Sequence, residues 1–186
     1  AMQAVAPAVG GCSMVLPLLN GLRHLDLLDT RFPAAQVLGG LCHIGVTLTH
    51  DGKVEHLNAL QHLSLGHRSP EQRSASDAAH AALICGGFSP VLSPSIMHDM
   101  WEKFIFLTSY AAVTCMMRAP IGAIARTGDG ALIATQLLDE CAAIATAAGF
   151  SPRPQFIAES RKTQSRTSAA RSISPRDFLI SPCPSR

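Results

Sequence analysis

Apolar residues in this chain fall into runs whose period changes along the sequence. Ala1 to Val9 is a short apolar stretch stopped by Gly10-Gly11, which predicts the end of a helix. Met14-Val15-Leu16-Pro17-Leu18-Leu19 is an unbroken apolar run of strand length, closed by Asn20-Gly21, and predicts a short buried strand. Leu22 to Thr30 returns to helical spacing. Val37 to Leu48 is rich in strand-forming residues, and His50-Asp51-Gly52-Lys53 supplies a turn whose Asp-Gly accepts positive φ. Val54 to Leu57 and Leu60 to Leu65 alternate apolar and polar positions, with Asn58-Ala59 expected to break the run between them. The stretch reads as a hairpin or small meander, and its glycines predict the close approach of another backbone or a ligand.

From Ser69 the period is helical. Pro70 after Ser69 is the arrangement of a capped helix start, and that helix is expected to run to Gly86-Gly87. A short Pro90-Val91-Leu92 strand follows. Ser95 is then expected to cap a long helix from Ile96 to about Met117, and Asp129-Gly130 precedes a further helix from Ala131 to Ala148, ended by Gly149. One strand-turn-helix unit cannot cover both faces of a parallel sheet. The fold class is therefore α+β: the last βα unit and β-meander of an α/β domain over residues 1–94, then a partial, mostly helical domain over 95–159. No internal repeat is present.

Composition changes this picture only at the end of the chain. Of 186 residues, 47% are hydrophobic and 15% charged, which suits a packed core over most of the length. The formal net charge of +2 gives no general argument for nucleic acid. Residues 160–186 hold seven Ser, six basic groups and one acid, whereas the first 159 residues carry nine basic and twelve acidic groups. The tail is expected to be disordered, because such a composition buries too little apolar surface to offset its ordering entropy. An anion-binding arm is the other reading of its arginines. Phe104 to Met117, between Lys103 and Arg118, is 14 residues long, short of the ~20 that span a bilayer. It reads as a buried helix, and no membrane partner is expected. The six cysteines stand far apart with no C-x-x-C pair, which suggests free thiols and a cytoplasmic setting.

Two places could carry chemistry. Lys103 opens that apolar helix, and helical spacing puts Leu107, Tyr110, Ala111 and Thr114 on its face. A lysine whose stem lies against apolar surface can present its ammonium to a carbonyl oxygen, with its pKa lowered into a working range. It can equally be a lysine that snorkels from the end of a buried helix, aided by Asp99 one turn earlier. Asn20, after an apolar strand, stands where open α/β sheets collect ligands, and Asn-Gly is also a common plain turn. His50, His56, His62 and His67 lack metal-ligand spacing, so surface histidines and no metal are expected. Neither a G-x-G-x-x-G nor a Walker loop occurs.

Several pieces in order resemble the ketopantoate reductase family, NADPH-dependent 2-dehydropantoate 2-reductases. They are Leu16-Pro17-Leu18-Leu19-Asn20-Gly21, Val37-Leu38-Gly39-Gly40, Asp51-Gly52 followed by His56, Met100-Trp101-Glu102-Lys103-Phe104, Arg118-Ala119-Pro120-Ile121-Gly122 and Ala148-Gly149-Phe150. The likeness covers residues 1 to 159. It implies a Rossmann-like NADP-binding domain, a helical domain of the 6-phosphogluconate dehydrogenase C-terminal type, and a substrate cleft between them.

It further implies that Lys103 is the catalytic lysine, that Asn20 contacts cofactor and substrate, and that the Gly45 backbone approaches the cofactor. Leu107, Ala111 and Ile121 stand where the best-known family form has asparagines. Tyr110 and Thr114 are the nearest polar replacements as substrate contacts. The expected activity is NADPH-dependent reduction of a 2-keto acid, most simply 2-dehydropantoate to pantoate. The small-molecule keto acid is the expected partner, without nucleic acid, and a homodimer is compatible with the resemblance. The alternative is a catalytically inactive remnant or helical association module. The chain reads as a copy truncated at its start and frame-shifted after about residue 160, and by itself it is expected to bind NADPH weakly or not at all.

Overall fold

The computed structural model describes residues 2–165 of the chain, which divide into two compact units, Ala1–Lys103 and Phe104 onward. The expected tail beyond Ser165, with Cys183, lies outside the described residues. Among them, no helix is long and apolar enough to cross a membrane.

The first unit opens with α1 (Met2–Val5) and, after the Asn20-Gly21 turn, α2 (Arg23–Asp29). Gly21 takes φ +83°, the left-handed region that glycine enters without penalty. The strand expected over Met14–Leu19 is reduced to a single parallel bridge between Val15 and Val37. Val15 N donates to Gln36 O at 2.7 Å and Leu38 N to Val15 O at 3.0 Å. Two residues on, Pro17 has no N–H with which to extend such a ladder.

The sheet holds β1 (Gly39–Leu48), β2 (Val54–Gly66) and β3 (Val91–Leu92) in the order β1-β2-β3. β1 and β2 are antiparallel, from Gly39 opposite Gly66 to Leu48 opposite Val54, and β3 runs parallel to β2. β2 runs through Asn58-Ala59 as one strand, but its pairing slips there: Ile44 pairs with Gln61 and Val46 with His56, so residues 57–60 of β2 bulge opposite Gly45 alone. The Thr49–Lys53 turn is as expected, with Gly52 at φ +81°.

Gly39 and Gly40 of β1 admit the close approach of protein atoms. A Cβ on Gly39 would lie 2.7 Å from Ile96 Cγ2, and one on Gly40 would lie 2.6 Å from Leu16 Cδ1 and 2.9 Å from Pro17 O. Ile96 starts α4 (Ile96–Met117), so the sheet and the helix are packed together at the helix's first residue. It belongs to a core of Leu25, Leu28, Phe32, Val37, Leu41 and Met100.

Between β2 and β3, a 3-10 turn over Pro70–Gln72 leads into α3 (Arg73–Ile84), with Ser69 and Gln72 forming the capping box. Gln72 is buried and ties the turn back to the Ala34 and Val37 carbonyls.

The second unit contains α4 from Phe104 on, α5 (Ile121–Ile124), α6 (Gly130–Ala147) and α7 (Pro154–Gln164). Tyr110, Val113, Ile121, Ile124 and Ala134 form its core. α6 buries Ala134, Leu138, Cys141 and Ala145, one stripe at helical spacing. α7 was not expected, and it carries the ordered chain past the domain limit placed at residue 159. Pro154 is pre-set for a first helical turn, and Ser160 and Gln164 turn inward, with Gln164 Nε2 donating to Ser109 Oγ at 2.8 Å.

Candidate active site

The site is built on the last residue of the first unit. Because Ile96 and Met100 point into the core, Lys103, one turn further along α4, points the same way. It is only 8% exposed. Its ammonium donates a hydrogen bond to the carbonyl oxygen of Cys42 in β1. Burial holds its pKa below the ordinary lysine value, and the Cys42 thiol pulls it the other way. The plain snorkelling reading, with the head in open water, does not describe this lysine.

The next residue of β1, His43, faces the same charge. Its cross-strand partner is His62, with ring centroids 6.1 Å apart and planes inclined by 42°. A hydrogen bond of 2.9 Å joins Ser64 Oγ and His62 Nε2. Burial of the ring, then Lys103, then His62 push the His43 pKa down to about 4. The residue is nonetheless exposed overall, so the ring meets desolvating neighbours on one side and water on another. Sequence reasoning passed over His43 because strand register, which pairs it with His62, cannot be read from local spacing.

The start of α4 is tied down by Ser93. Its hydroxyl donates to Asp99 Oδ2 at 2.5 Å and accepts from Ser95 N at 3.1 Å. The Ser95 carbonyl accepts from His98 N and Asp99 N, so Ser95 stands at the helix start as expected.

The other expected residues fall in both units. Asn20 is exposed in the turn before α2, and Gly45 is half-buried in β1 opposite the β2 bulge, three residues beyond the carbonyl that holds Lys103. Tyr110 and Thr114 belong to the second unit. Tyr110 is in its core, and the Thr114 hydroxyl donates to the Tyr110 and Ala111 carbonyls at 2.8 and 3.3 Å. Among the described residues, no three His, Cys, Asp or Glu side chains gather as a metal site. His56 turns to its own strand, its Nε2 3.2 Å from Leu60 O.

Comparison with known proteins gives one family. The profile described as ketopantoate reductase PanE/ApbA matches residues 1–70, and that described as ketopantoate reductase PanE/ApbA C terminal matches residues 95–177. The second match runs past residue 159, where the resemblance was expected to end. An oxidoreductase of Bacillus subtilis, YkpB, is 29% identical over 167 residues, 90% of this chain and 55% of that protein. A 2-dehydropantoate 2-reductase of Halobacterium salinarum is 26% identical over 166 residues, 89% of this chain and 54% of its own length. The chain thus spans about half the length of the curated relatives it matches.

Solved structures share the fold. A 2-dehydropantoate 2-reductase of Porphyromonas gingivalis W83 superposes with a TM-score of 0.78 at 21% identity, over 88% of this chain and 56% of that one. A D-mandelate dehydrogenase, solved with NADH, gives 0.82 at 17% identity over 96% and 60%.

Proposed function

The chain belongs to the ketopantoate reductase family, and from that premise we propose that it carries the proton-donating part of a nicotinamide-dependent 2-keto acid reduction. 2-Dehydropantoate is the first substrate to test, with NADPH as the cofactor. The observation that supports this most is the buried Lys103 ammonium, held by a single backbone carbonyl and depressed in pKa by its surroundings.

A ketone accepts hydride at carbon only as negative charge develops on its oxygen. An ammonium in a poorly solvated place stabilises that charge more than water would, because the local dielectric is low. The keto oxygen replaces the Cys42 carbonyl as acceptor, and the proton passes from Lys103 Nζ to the nascent alkoxide. The lysine is left as a neutral amine, the state its burial favours, and regains a proton from solvent. A bound reduced nicotinamide supplies the hydride.

Asn20, exposed beside the Gly21 turn, is the residue we assign to orient the nicotinamide end and the substrate, and we assign the Gly45 backbone to approach the cofactor. No G-x-G-x-x-G loop occurs in these residues to take a pyrophosphate, so this chain by itself is expected to hold NADPH weakly. Thr114 already commits its hydroxyl to helix carbonyls, so substrate contact by Tyr110 and Thr114 ranks after Asn20. With Leu107, Ala111 and Ile121 apolar, we further propose a preference for keto acids less polar than 2-dehydropantoate.

The test follows loss of reduced-nicotinamide absorbance with 2-dehydropantoate and with alkyl 2-keto acids at high cofactor concentration. Turnover is expected, and Lys103→Ala lowers it by about 10²-fold or more. Turnover that survives Lys103→Ala unchanged overturns the assignment. A strong preference for 2-dehydropantoate overturns the apolar-substrate reading.

A further inference from the structure

The function proposed above leaves half of its substrate unaddressed. A 2-keto acid carries its carboxylate on the carbon next to the ketone, so a group that meets the keto oxygen needs a neighbour for the acid. Lys103 is held at the Cys42 carbonyl, and the following residue of the same strand, His43, carries an imidazole on which the Lys103 charge acts. Lys103 is buried while His43 is exposed, so an anion arriving from water can reach the imidazole. The arrangement is also braced. His62 lies across the strand pair from His43 and is itself joined to the buried Ser64 hydroxyl.

We propose that His43 seats the carboxylate of the 2-keto acid whose keto oxygen Lys103 meets, taking a proton from solvent as that anion arrives. This rests on the 2-keto acid reading of the Lys103 site. The titratable groups that act on the His43 ring are Lys103 from α4 and His62 from β2, and both disfavour its cationic form. An incoming carboxylate is of opposite sign and favours it. Bound substrate thereby turns a neutral imidazole into a charge-assisted donor, which a neutral ketone cannot do. His43 is in this sense a specificity residue for acids over plain ketones.

The experiment is a proton NMR pH titration of the histidine rings of the unaltered full chain, free and saturated with oxamate, a 2-keto acid isostere that cannot be reduced. The His43 resonance is assigned through backbone correlations and by its loss in His43→Gln. Expected is an upward move of the His43 midpoint from about 4 to about 7 with oxamate, and none with uncharged oxamide. His43→Gln is expected to weaken oxamate about tenfold. Oxamate that binds without moving the His43 midpoint, or oxamide that moves it equally, overturns the proposal and leaves the Lys103 reading standing. Oxamate affinity unchanged in Lys103→Met overturns the Lys103 reading itself, and absence of any oxamate binding overturns both.

Discussion

Gly39 and Gly66 face each other across β1 and β2, and each leaves room for the same side chain, Ile96. A Cβ on Gly39 would come within 2.7 Å of Ile96 Cγ2, and one on Gly66 within 2.9 Å of Ile96 Cβ and 2.6 Å of the Ser93 carbonyl oxygen. The paired glycines form the notch that seats the helix carrying Lys103. Gly39→Ala is expected to cost about 1–3 kcal/mol in chemical denaturation, the usual range for overpacking. Ile96→Ala in the same chain should recover part of that loss, since the Gly39 clash is with the Ile96 side chain alone. It should recover less for Gly66→Ala, where a backbone oxygen also stands in the way. Equal recovery at both positions would show that the notch is not what constrains them.

Gln72 makes four hydrogen bonds from a buried side chain. It donates to Ala34 O at 2.7 Å and Val37 O at 2.9 Å, and it accepts from Arg68 N at 2.7 Å and Ser69 N at 3.3 Å. Its removal takes a partner from four backbone groups, although the Val37 carbonyl keeps Arg68 Nη1 at 3.3 Å and the Ala34 carbonyl keeps Val37 N at 3.2 Å. Gln72→Ala is therefore expected to lower stability by about 1–3 kcal/mol. Gln72→Glu keeps the acceptor but turns a second carboxylate oxygen toward two carbonyls, and should be at least as harmful at neutral pH. By contrast, Arg161 and Asp139 form a 2.7 Å pair with about half of each side chain exposed. Arg161→Ala should cost well under 1 kcal/mol in the same assay.

Elements whose cause is local were legible in the residues. The Asp51-Gly52 turn, the Ser69-Pro70 start and the Gly149 stop each need particular backbone angles, and the structure has them there, Gly149 at φ +89°. Elements whose cause is a neighbour were not. Met14–Leu19 is apolar enough for a strand, yet only Val15 finds a partner, in Val37. Asn58-Ala59 disfavours a strand, yet β2 continues through it by bulging, with residues 57–60 opposite Gly45 alone. α7 is polar on average and is held by contacts such as Gln164 to Ser109, across 55 residues of sequence. Lys103 could be picked out as the last charge before 14 uncharged residues of its helix. Its acceptor, Cys42, and its neighbour, His43, become visible only when strand and helix are placed together.

Arg118 ends α4 with φ +49°, the only left-handed backbone among non-glycine described residues. A side chain bearing Cβ costs about 1 kcal/mol in that region, and glycine at the residue after a helix avoids it. The bonds that close the helix, Arg118 N to Cys115 O and Ala119 N to Thr114 O, come from the backbone and survive substitution. Arg118→Gly is therefore expected to raise the thermal midpoint by a few degrees, and Arg118→Val to lower it. A fall in midpoint with Arg118→Gly would assign the guanidinium a larger stabilising role than the backbone strain it accompanies.

Acid sensitivity follows from two histidines. His43 is pushed down to about 4 by burial, Lys103 and His62, and His24 is lowered by burial and by Arg68, with Asp26 opposing. In the unfolded chain both return to about 6.5. Between about pH 6.5 and 4 the unfolded state thus binds more protons than the folded one, and stability falls as pH falls through that window. Above about 6.5 both are neutral in either state and contribute no slope. Lys103 has the same sign at the other end of the scale. Its lowered pKa makes the folded state gain relative stability as pH rises through its folded value toward the ordinary lysine range. Denaturation midpoints from pH 8 down to pH 4.5 should therefore decline, and His43→Gln should flatten the lower part of the curve. A decline of unchanged steepness in that variant would place the acid-sensitive group elsewhere, with His24→Gln as the next variant to measure.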